Sequence, residues 1–180
     1  MNLAKIARKI VEYALEGKDY EIPDEIKEKL NYKAGAFTTI KTLDNQLRGC
    51  MGIPYPIYPL WQSLKYSALM AAFEDPRFPP LQKEELDNVK FEVTVLTPPR
   101  KLIVNNPLEY LEKIKIGKHG IIIKRGPYSG LLLPQVPIEE GWDAKEFLSY
   151  GCLKAGLPMD CWLDPKTEVY VFEGQIFEED

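Results

Sequence analysis

The sequence predicts an α+β fold with a largely antiparallel sheet flanked by helices. Strand-like segments come as neighbours joined by short turns, and isolated helical segments lie among them. The regular alternation of strand and helix that builds a doubly wound parallel sheet is absent. With 180 residues, of which 45% are hydrophobic, the chain is long enough for one domain over 1–180, with two subdomains of uncertain boundary.

The first third of the chain predicts two helices followed by a hairpin. Apolar residues recur at helical spacing over 2–16, and Gly17 ends the pattern, so this segment predicts an amphipathic helix. Residues 23–30 predict a shorter helix, because a proline suits the first helical turn. Residues 36–53 predict a hairpin that turns at Asp44–Asn45, a pair that tolerates left-handed backbone.

The middle of the chain predicts a helix, a strand and a capped turn. A helix over 60–73 follows a proline-rich exit from the hairpin and ends at the Asp-Pro-Arg-Phe-Pro-Pro segment, 75–80, because proline disfavours helix at the residue before it. Apolar and polar residues alternate over 89–95, which predicts a strand with one buried face. Asn106, followed by a proline, resembles a helix cap.

The last third predicts two or three strands, one helix and a closing strand. Glycines punctuate 114–136, and we place a turn at 128–130 between two apolar triplets. Asp143 is positioned to cap a helix that ends at Gly156. Residues 167–177 predict the final strand.

Composition excludes several classes of protein. The net charge of −4 and pI of about 5.2 make nucleic-acid binding an unfavoured function. No apolar run approaches the roughly 20 residues that span a bilayer, and charges interrupt the first 16 residues, so we predict no membrane association and a cytoplasmic location. Lysine and glutamate dominate the charged residues, which hints at a heat-adapted source. No phosphate loop or dinucleotide motif is present, so no cofactor is predicted.

The stretch Leu-Arg-Gly-Cys-Met-Gly, 47–52, is the most informative in the chain. It sets the thiol of Cys50 between two glycines and near Arg48. One interpretation makes Cys50 a nucleophile whose pKa Arg48 lowers, provided that the two side chains share a face of the strand. The alternative is a small buried residue whose glycine neighbours allow a tight hairpin.

His119 is the single histidine, so any imidazole chemistry must use it. It could act as a base toward Cys50 in a cysteine–histidine dyad. The alternative is a structural histidine that is hydrogen-bonded to backbone. The three cysteines and His119 match the ligand count of a zinc site, but they lack closely spaced ligand pairs, and we predict no metal site. Three widely spaced cysteines are also not typical of a secreted disulfide framework.

Three further polar residues are candidates for ligand contact. Asp75 and Arg77 could lie at the rim of a pocket. Equally, Asp75 could cap a turn and Arg77 could form an ion pair. If Cys50 is a nucleophile, backbone N–H groups near Gly49 or Gly52 could form an oxyanion cradle. Gln135 is flanked by apolar residues, and its amide must bind either backbone or a ligand if it is buried.

These motifs together resemble the AMMECR family, named for a human chromosomal region linked to Alport syndrome and elliptocytosis. The six-residue stretch is similar to that family's Leu-Arg-Gly-Cys-Ile-Gly signature, with Met51 in place of isoleucine. The other blocks that carry the resemblance are 75–78, 117–120, 132–136 and 142–158. The resemblance covers essentially the whole chain.

The resemblance implies two unequal lobes, with the characteristic residues around a cleft that binds a small ligand or a protein segment. It implies a protein whose function is not established, and which could be an accessory factor in a modification pathway. Memo-like and radical-SAM proteins are the partners that it suggests by analogy. The alternatives are an enzyme with Cys50 as nucleophile and His119 as base, and a scaffold or RNA-binding adaptor. The residues expected to contact a ligand are Arg48, Gly49, Asp75, Arg77 and Gln135.

Overall fold

A computed structural model describes residues 1–179, and the chain divides into two compact units. The first unit comprises Met1–Leu96 together with the segment from Gln175, and the second comprises Thr97–Gly174. Both units combine helices with antiparallel strand pairs. The predicted α+β class is therefore confirmed.

The elements are short and follow one another closely. The helices are α1 (Leu3–Leu15), α2 (Asp24–Lys29), α3 (Leu60–Phe73), α4 (Tyr110–Lys113), α5 (Val136–Glu140) and α6 (Ala144–Lys154). The strands are β1 (Gly35–Thr42), β2 (Leu47–Ile53), β3 (Val89–Leu96), β4 (Arg100–Lys101), β5 (His119–Arg125), β6 (Tyr128–Leu132) and β7 (Glu168–Glu178). The helices predicted over 2–16 and 60–73 match α1 and α3.

In the first unit, β1 lies between β2 and β3 and is antiparallel to both. Helices α1 and α3 pack on one face of these strands. The core between them contains Ile10, Ile40, Leu64 and Phe91, each 2% exposed or less. A buried hydrogen bond between the hydroxyls of Thr38 and Ser67, at 2.8 Å, crosses from β1 to α3.

The β1–β2 hairpin turns where the sequence predicts it and contains one irregularity. Asn45 adopts the left-handed conformation with φ 67°, as turn chemistry leads one to expect. Ile40 pairs with Gly49, but Lys41 pairs with Leu47, so Arg48 is an extra residue in β2. Such a bulge rotates the side chain away from the regular alternation of the strand.

In the second unit, β5 pairs with β6 on one side and with β7 on the other, while β4 also pairs with β7. Helix α6 packs against β5 and β6. Its N-terminus is capped as predicted, because the Asp143 carboxylate accepts a hydrogen bond of 2.8 Å from the Glu146 N–H. The predicted closing strand corresponds to β7.

The turn predicted at 128–130 is wrong. The hairpin instead turns at Gly126–Pro127, and Tyr128 begins β6. Gly126 has φ +58°, which supplies the left-handed residue that a tight turn requires. Gly130 instead lies within β6, where a side chain does not fit because a Cβ would lie 2.4 Å from the backbone nitrogen of Ala155.

Cys152 and Cys161 form a disulfide in the second unit, with their Cα atoms 5.9 Å apart. Their separation of nine residues did not predict it. Cys152 lies in α6, and the chain reverses at Gly156, whose φ is +81°, before it reaches Cys161. Cys50 is the free cysteine.

No helix within residues 1–179 is long and apolar enough to cross a membrane.

Candidate functional site

The predicted residues of the first unit meet, together with Phe78, where β2 approaches the end of α3. We call this group, Arg48, Cys50, Asp75, Arg77 and Phe78, the Cys50 corner. The close approach depends on Gly49, because a Cβ at that position would lie 2.2 Å from the carbonyl oxygen of Ala71 in α3. The chain leaves α3 directly after this contact, which brings Asp75 to the strand.

Asp75 is the central acceptor of the corner, and its side chain is 2% exposed. Its Oδ2 accepts the backbone N–H of Cys50 at 2.9 Å and Nη2 of Arg77 at 2.8 Å. Its Oδ1 accepts Nε and the backbone N–H of Arg77, both at 3.0 Å. The Arg77 guanidinium, above all, lowers the pKa of this carboxyl from 3.8 to about 2, and the backbone N–H groups of Cys50 and Arg77 add to the effect.

Arg77 also closes the outer edge of β2. Its Nη2 donates to the carbonyl of Cys50 at 3.2 Å, while the N–H of Cys50 binds Asp75. Both backbone groups of Cys50 are thus satisfied as a neighbouring strand would satisfy them. Asp75 therefore caps the turn and Arg77 forms an ion pair, which is the structural alternative that the sequence offered for these two residues.

Arg48 is held away from the thiol by its position in the bulge. Its Nε and Nη2 donate to the Glu85 carboxylate at 2.8 and 3.1 Å, and Nη2 also donates to the Pro79 carbonyl at 2.9 Å. The Phe78 ring lies near both guanidinium groups, with its centroid 5.9 Å from Cζ of Arg48 and 5.6 Å from Cζ of Arg77. Both contacts are within the range of cation–π attraction.

The thiol of Cys50 is half-buried and in contact with Thr39, with 3.3 Å between Sγ and Oγ1. Burial raises the pKa of this thiol, and the hydrogen bond from Thr39 and the charge of Arg77 offset that rise only in part. Of the two interpretations of Cys50, activation of the thiol by Arg48 is not favoured, because the Arg48 guanidinium binds Glu85 instead. A thiol with a raised pKa is a poor nucleophile at neutral pH.

We therefore expect Cys50 to react with a maleimide at pH 7 more slowly than the cysteine of an unstructured peptide. Cys152 and Cys161 are joined to each other, so labelling under non-reducing conditions reports on Cys50 alone. The labelling rate, followed from pH 6 to pH 10, should give an apparent pKa above the ordinary value of about 8.5. Thr39→Val is the matched variant, since it removes the hydroxyl that contacts Sγ. A labelling rate that reaches its plateau below pH 8 would instead support the interpretation of Cys50 as an activated thiolate.

His119 lies in the second unit, at the start of β5, and is 4% exposed. Its Nδ1 accepts the backbone N–H of Lys115 at 3.0 Å. Burial, followed by the positive charge of Arg100, lowers the pKa of the ring, so the ring is neutral at pH 7 and carries its proton on Nε2. Such a ring donates from Nε2 and has no free lone pair with which to accept a proton. A catalytic role for His119 stays a prediction that this hydrogen bonding does not favour.

Gln135 also lies in the second unit, directly before α5. Its Oε1 is buried and accepts no hydrogen bond from the residues that the structure describes. The prediction that it binds a ligand therefore stays open. The structure thus brings Arg48, Gly49, Cys50, Asp75 and Arg77 together in the first unit, and it places His119 and Gln135 in the second.

Sequence reasoning missed Thr39, Phe78 and Glu85 as members of this neighbourhood. Counting outward from a two-residue turn at Asp44–Asn45 places position 39 opposite position 50. The observed register agrees at this pair only because the extra residue Arg48 offsets the pairing of Lys41 with Leu47 next to the turn. Glu85 forms a capping box with Gln82, which a search for caps could have found. Nothing in the sequence indicates that Arg48 is its partner.

The comparison with known proteins decides the family. The chain matches the AMMECR1 family over residues 4–177. This chain belongs to the AMMECR1 family. The resemblance inferred from the sequence motifs is therefore confirmed.

Relatives of this AMMECR1-family chain span its whole length. A protein of Aquifex aeolicus is 55% identical over 98% of this chain and 91% of its own. A protein of Methanopyrus kandleri is 55% identical over 99% of this chain and 87% of its own. The crystal structure of an uncharacterised protein from Pyrococcus horikoshii, 49% identical, matches with a TM-score of 0.93 over 99% of this chain and 90% of its own. None of these names states an activity.

A pocket of about 140 Å³ lies elsewhere in the first unit of this AMMECR1-family chain. None of the residues of the Cys50 corner lines it. Its lining is highly charged and consists of Lys41, Asn45, Lys90, Phe91, Glu92, Glu178 and Glu179. Within residues 1–179, no group of three or more histidine, cysteine or acidic side chains is arranged to hold a metal ion.

Proposed function

We propose that this protein is a binding protein that recognises an acidic segment of a partner protein at the Cys50 corner, and that it acts as an accessory factor. The observation that carries the proposal is the state of Arg77. The inner side of its guanidinium is held by Asp75 and by the Cys50 carbonyl, yet its side chain is 55% exposed. Its Nη1 makes no hydrogen bond within residues 1–179, so two N–H donors remain for a ligand.

The surroundings of Arg77 favour a carboxylate carried on a polypeptide. A guanidinium binds a carboxylate through charge-assisted hydrogen bonds, and one that is already oriented loses little conformational entropy on binding. The half-buried Phe78 ring beside it and the exposed Pro76 and Pro79 supply a firm apolar surface. Arginine and aromatic residues are the types enriched at protein interfaces.

The partner that we propose is a protein of the same modification pathway. Memo-like and radical-SAM proteins are the candidates, and they are suggested by analogy with other members of the family. The acidic segment would supply the charge complementarity that steers association.

The test uses two synthetic peptides, one with alternating glutamate and glycine and the other with glutamine in place of glutamate. We expect the glutamate peptide to bind, the glutamine peptide to bind at least about tenfold more weakly, and Arg77→Gln to lose a similar factor, equivalent to about 1.4 kcal/mol. Binding is measured by isothermal titration calorimetry well below the melting temperature of each variant. Phe78→Leu should weaken binding as well, while the Asp75–Arg77 contact is kept.

Lys9→Gln is the matched control, because Lys9 is an exposed cation on α1 of the same unit. It should leave the affinity unchanged. Equal affinity for the two peptides, or an equal loss in Lys9→Gln and Arg77→Gln, would contradict recognition at the corner.

A further inference from the structure

His119 holds a hydrogen-bond donor, Nε2, that the protein itself does not use. The ring is 4% exposed, and Nδ1 is occupied by the Lys115 N–H. The proton of the neutral ring is therefore on Nε2, and Nε2 has no hydrogen-bond partner within the described part of the chain. Within the residues that the structure describes, Nε2 is not among the side-chain atoms that are both fully buried and without a partner, so this donor is accessible to an external acceptor.

Three cationic side chains lie close enough to the His119 ring to act on its charge: Arg100, Lys115 and Lys118. Lys115 and Lys118 belong to the turn that leads into β5, and both are exposed. Arg100 of β4 pairs with Val171 of β7, while His119 pairs with Glu173 two residues further along the same strand. Paired residues point to the same face of a sheet, so Arg100 and His119 share one face.

The acidic side chain of this neighbourhood only partly balances these charges. Glu173 lies opposite His119, and its carboxylate is 3.6 Å from Nζ of Lys118. Lys115 donates its Nζ to the carbonyl of Glu112 at 2.9 Å, a neutral acceptor that leaves its charge in place. Arg100, Lys115 and Lys118 all lower the pKa of the His119 ring after burial, and Glu173 is the group that raises it. The net potential at the ring is positive.

The turn that leads into β5 also contains backbone N–H groups without an acceptor among the described residues. The N–H groups of Lys118 and His119 both bind the Lys115 carbonyl, at 3.1 and 2.9 Å, and Gly117 adopts φ +88°. The N–H groups of Ile116 and Gly117 bind no acceptor within residues 1–179. Unpaired N–H groups beside cationic side chains are typical of oxyanion sites.

We infer that His119, Arg100, Lys115 and Lys118 form a binding site for a small doubly charged oxyanion of the phosphate or sulfate type. The Nε2 donor of His119 contacts the anion, and the three cations neutralise it. This inference is independent of the function proposed for the Cys50 corner, which lies in the other unit.

Because His119 is the single histidine, its imidazole resonances report on this site without ambiguity. Sulfate is the probe, since its charge does not change near neutral pH, and inorganic phosphate is the second probe. The titration is carried out at constant ionic strength against chloride. We expect a saturable shift of the His119 ring signals and a rise in the pKa of His119, because a bound dianion stabilises the imidazolium.

Arg100→Gln and Lys118→Gln should each weaken sulfate binding by about fivefold to tenfold. Lys154→Gln, which removes an exposed lysine from α6 of the same unit, should not change it. A shift that rises linearly with sulfate, or that chloride reproduces, would overturn the site. So would an equal loss in Lys154→Gln and Lys118→Gln.

The two proposals fail separately. Lys118→Gln should leave binding of the glutamate peptide unchanged, and Arg77→Gln should leave the sulfate titration of His119 unchanged. If Lys118→Gln weakens the binding of sulfate and of the glutamate peptide by the same factor, Lys118 contributes only general positive charge, and a selective dianion site at His119 is refuted.

Discussion

Replacement of Asp75 by alanine is expected to lower the free energy of unfolding by about 2–4 kcal/mol. The carboxylate accepts four hydrogen bonds, from the backbone of Cys50 and from three nitrogens of Arg77. Its loss leaves the Cys50 N–H without an acceptor and the outer edge of β2 open. The effect stays below that of a fully buried ion pair, because the half-exposed Arg77 side chain can turn toward water.

Urea unfolding at pH 7 measures this effect. Arg77→Lys is the matched variant, since it keeps the charge but cannot donate from Nε and Nη2 at once. It should cost less than Asp75→Ala. If Asp75→Ala loses under about 0.5 kcal/mol, the carboxylate is no more than a surface ion pair.

The same carboxylate makes stability depend on pH in a predictable direction. Its pKa is about 2 in the folded protein against 3.8 ordinarily, so the unfolded chain binds its proton more readily. The ionised group therefore stabilises the fold above pH 4 by about 2 kcal/mol, and this contribution is lost as the pH falls toward 2. Asp75→Asn lacks this titration. The difference in stability between wild type and Asp75→Asn should shrink between pH 5 and pH 2, and a constant difference would contradict the assigned pKa.

The neighbourhood of Asp75 shows how far the sequence alone could be taken. Proline on both sides of Arg77 indicated a fixed corner, and Asp44–Asn45 indicated where the hairpin turns. These local rules of turn chemistry locate the hairpin, but its register at Thr39 and Cys50 also depends on the extra residue Arg48. A turn cap by Asp75 and an ion pair of Arg77 were among the alternatives for the same reason, although the sequence did not indicate that the two residues pair with each other.

The features that were missed depend on contacts between distant parts of the chain. The bulge at Arg48 follows from the pairing of two strands, and only that pairing sends the guanidinium to Glu85. The choice between Gly126 and Gly130 as the turn residue was decided by α6, whose end packs on Gly130. Glycine is compatible with both roles, so its position in the sequence could not separate them.

The role of His119 was left between two interpretations for a different reason. A histidine next to glycine at the end of a strand fits a base, a ligand or a structural group equally well. The difference lies in which ring nitrogen accepts a hydrogen bond, and here the backbone N–H of Lys115 occupies Nδ1. That single contact leaves Nε2 as the donor of the neutral ring, and it favours the structural interpretation over proton abstraction.

Gly49→Ala is expected to destabilise the protein by about 3 kcal/mol or more. An added Cβ would lie 2.2 Å from the carbonyl oxygen of Ala71 and 3.3 Å from its carbonyl carbon. Both atoms belong to the backbone of α3, so no side-chain rotation relieves the clash, and strand β2 must move away from the helix. That movement would also pull the Cys50 N–H away from Asp75.

Gly17→Ala is the control that separates this clash from the ordinary cost of replacing glycine. Gly17 has φ +73° and nothing within 4 Å of an added Cβ, so its replacement carries only the strain of left-handed backbone, about 1–2 kcal/mol. Maleimide labelling then tells the two variants apart beyond their stability. Gly49→Ala should expose Cys50 and raise its labelling rate under native conditions, whereas Gly17→Ala should leave that rate unchanged. Equal rates in both variants would mean that the contact between β2 and α3 does not hold the corner closed.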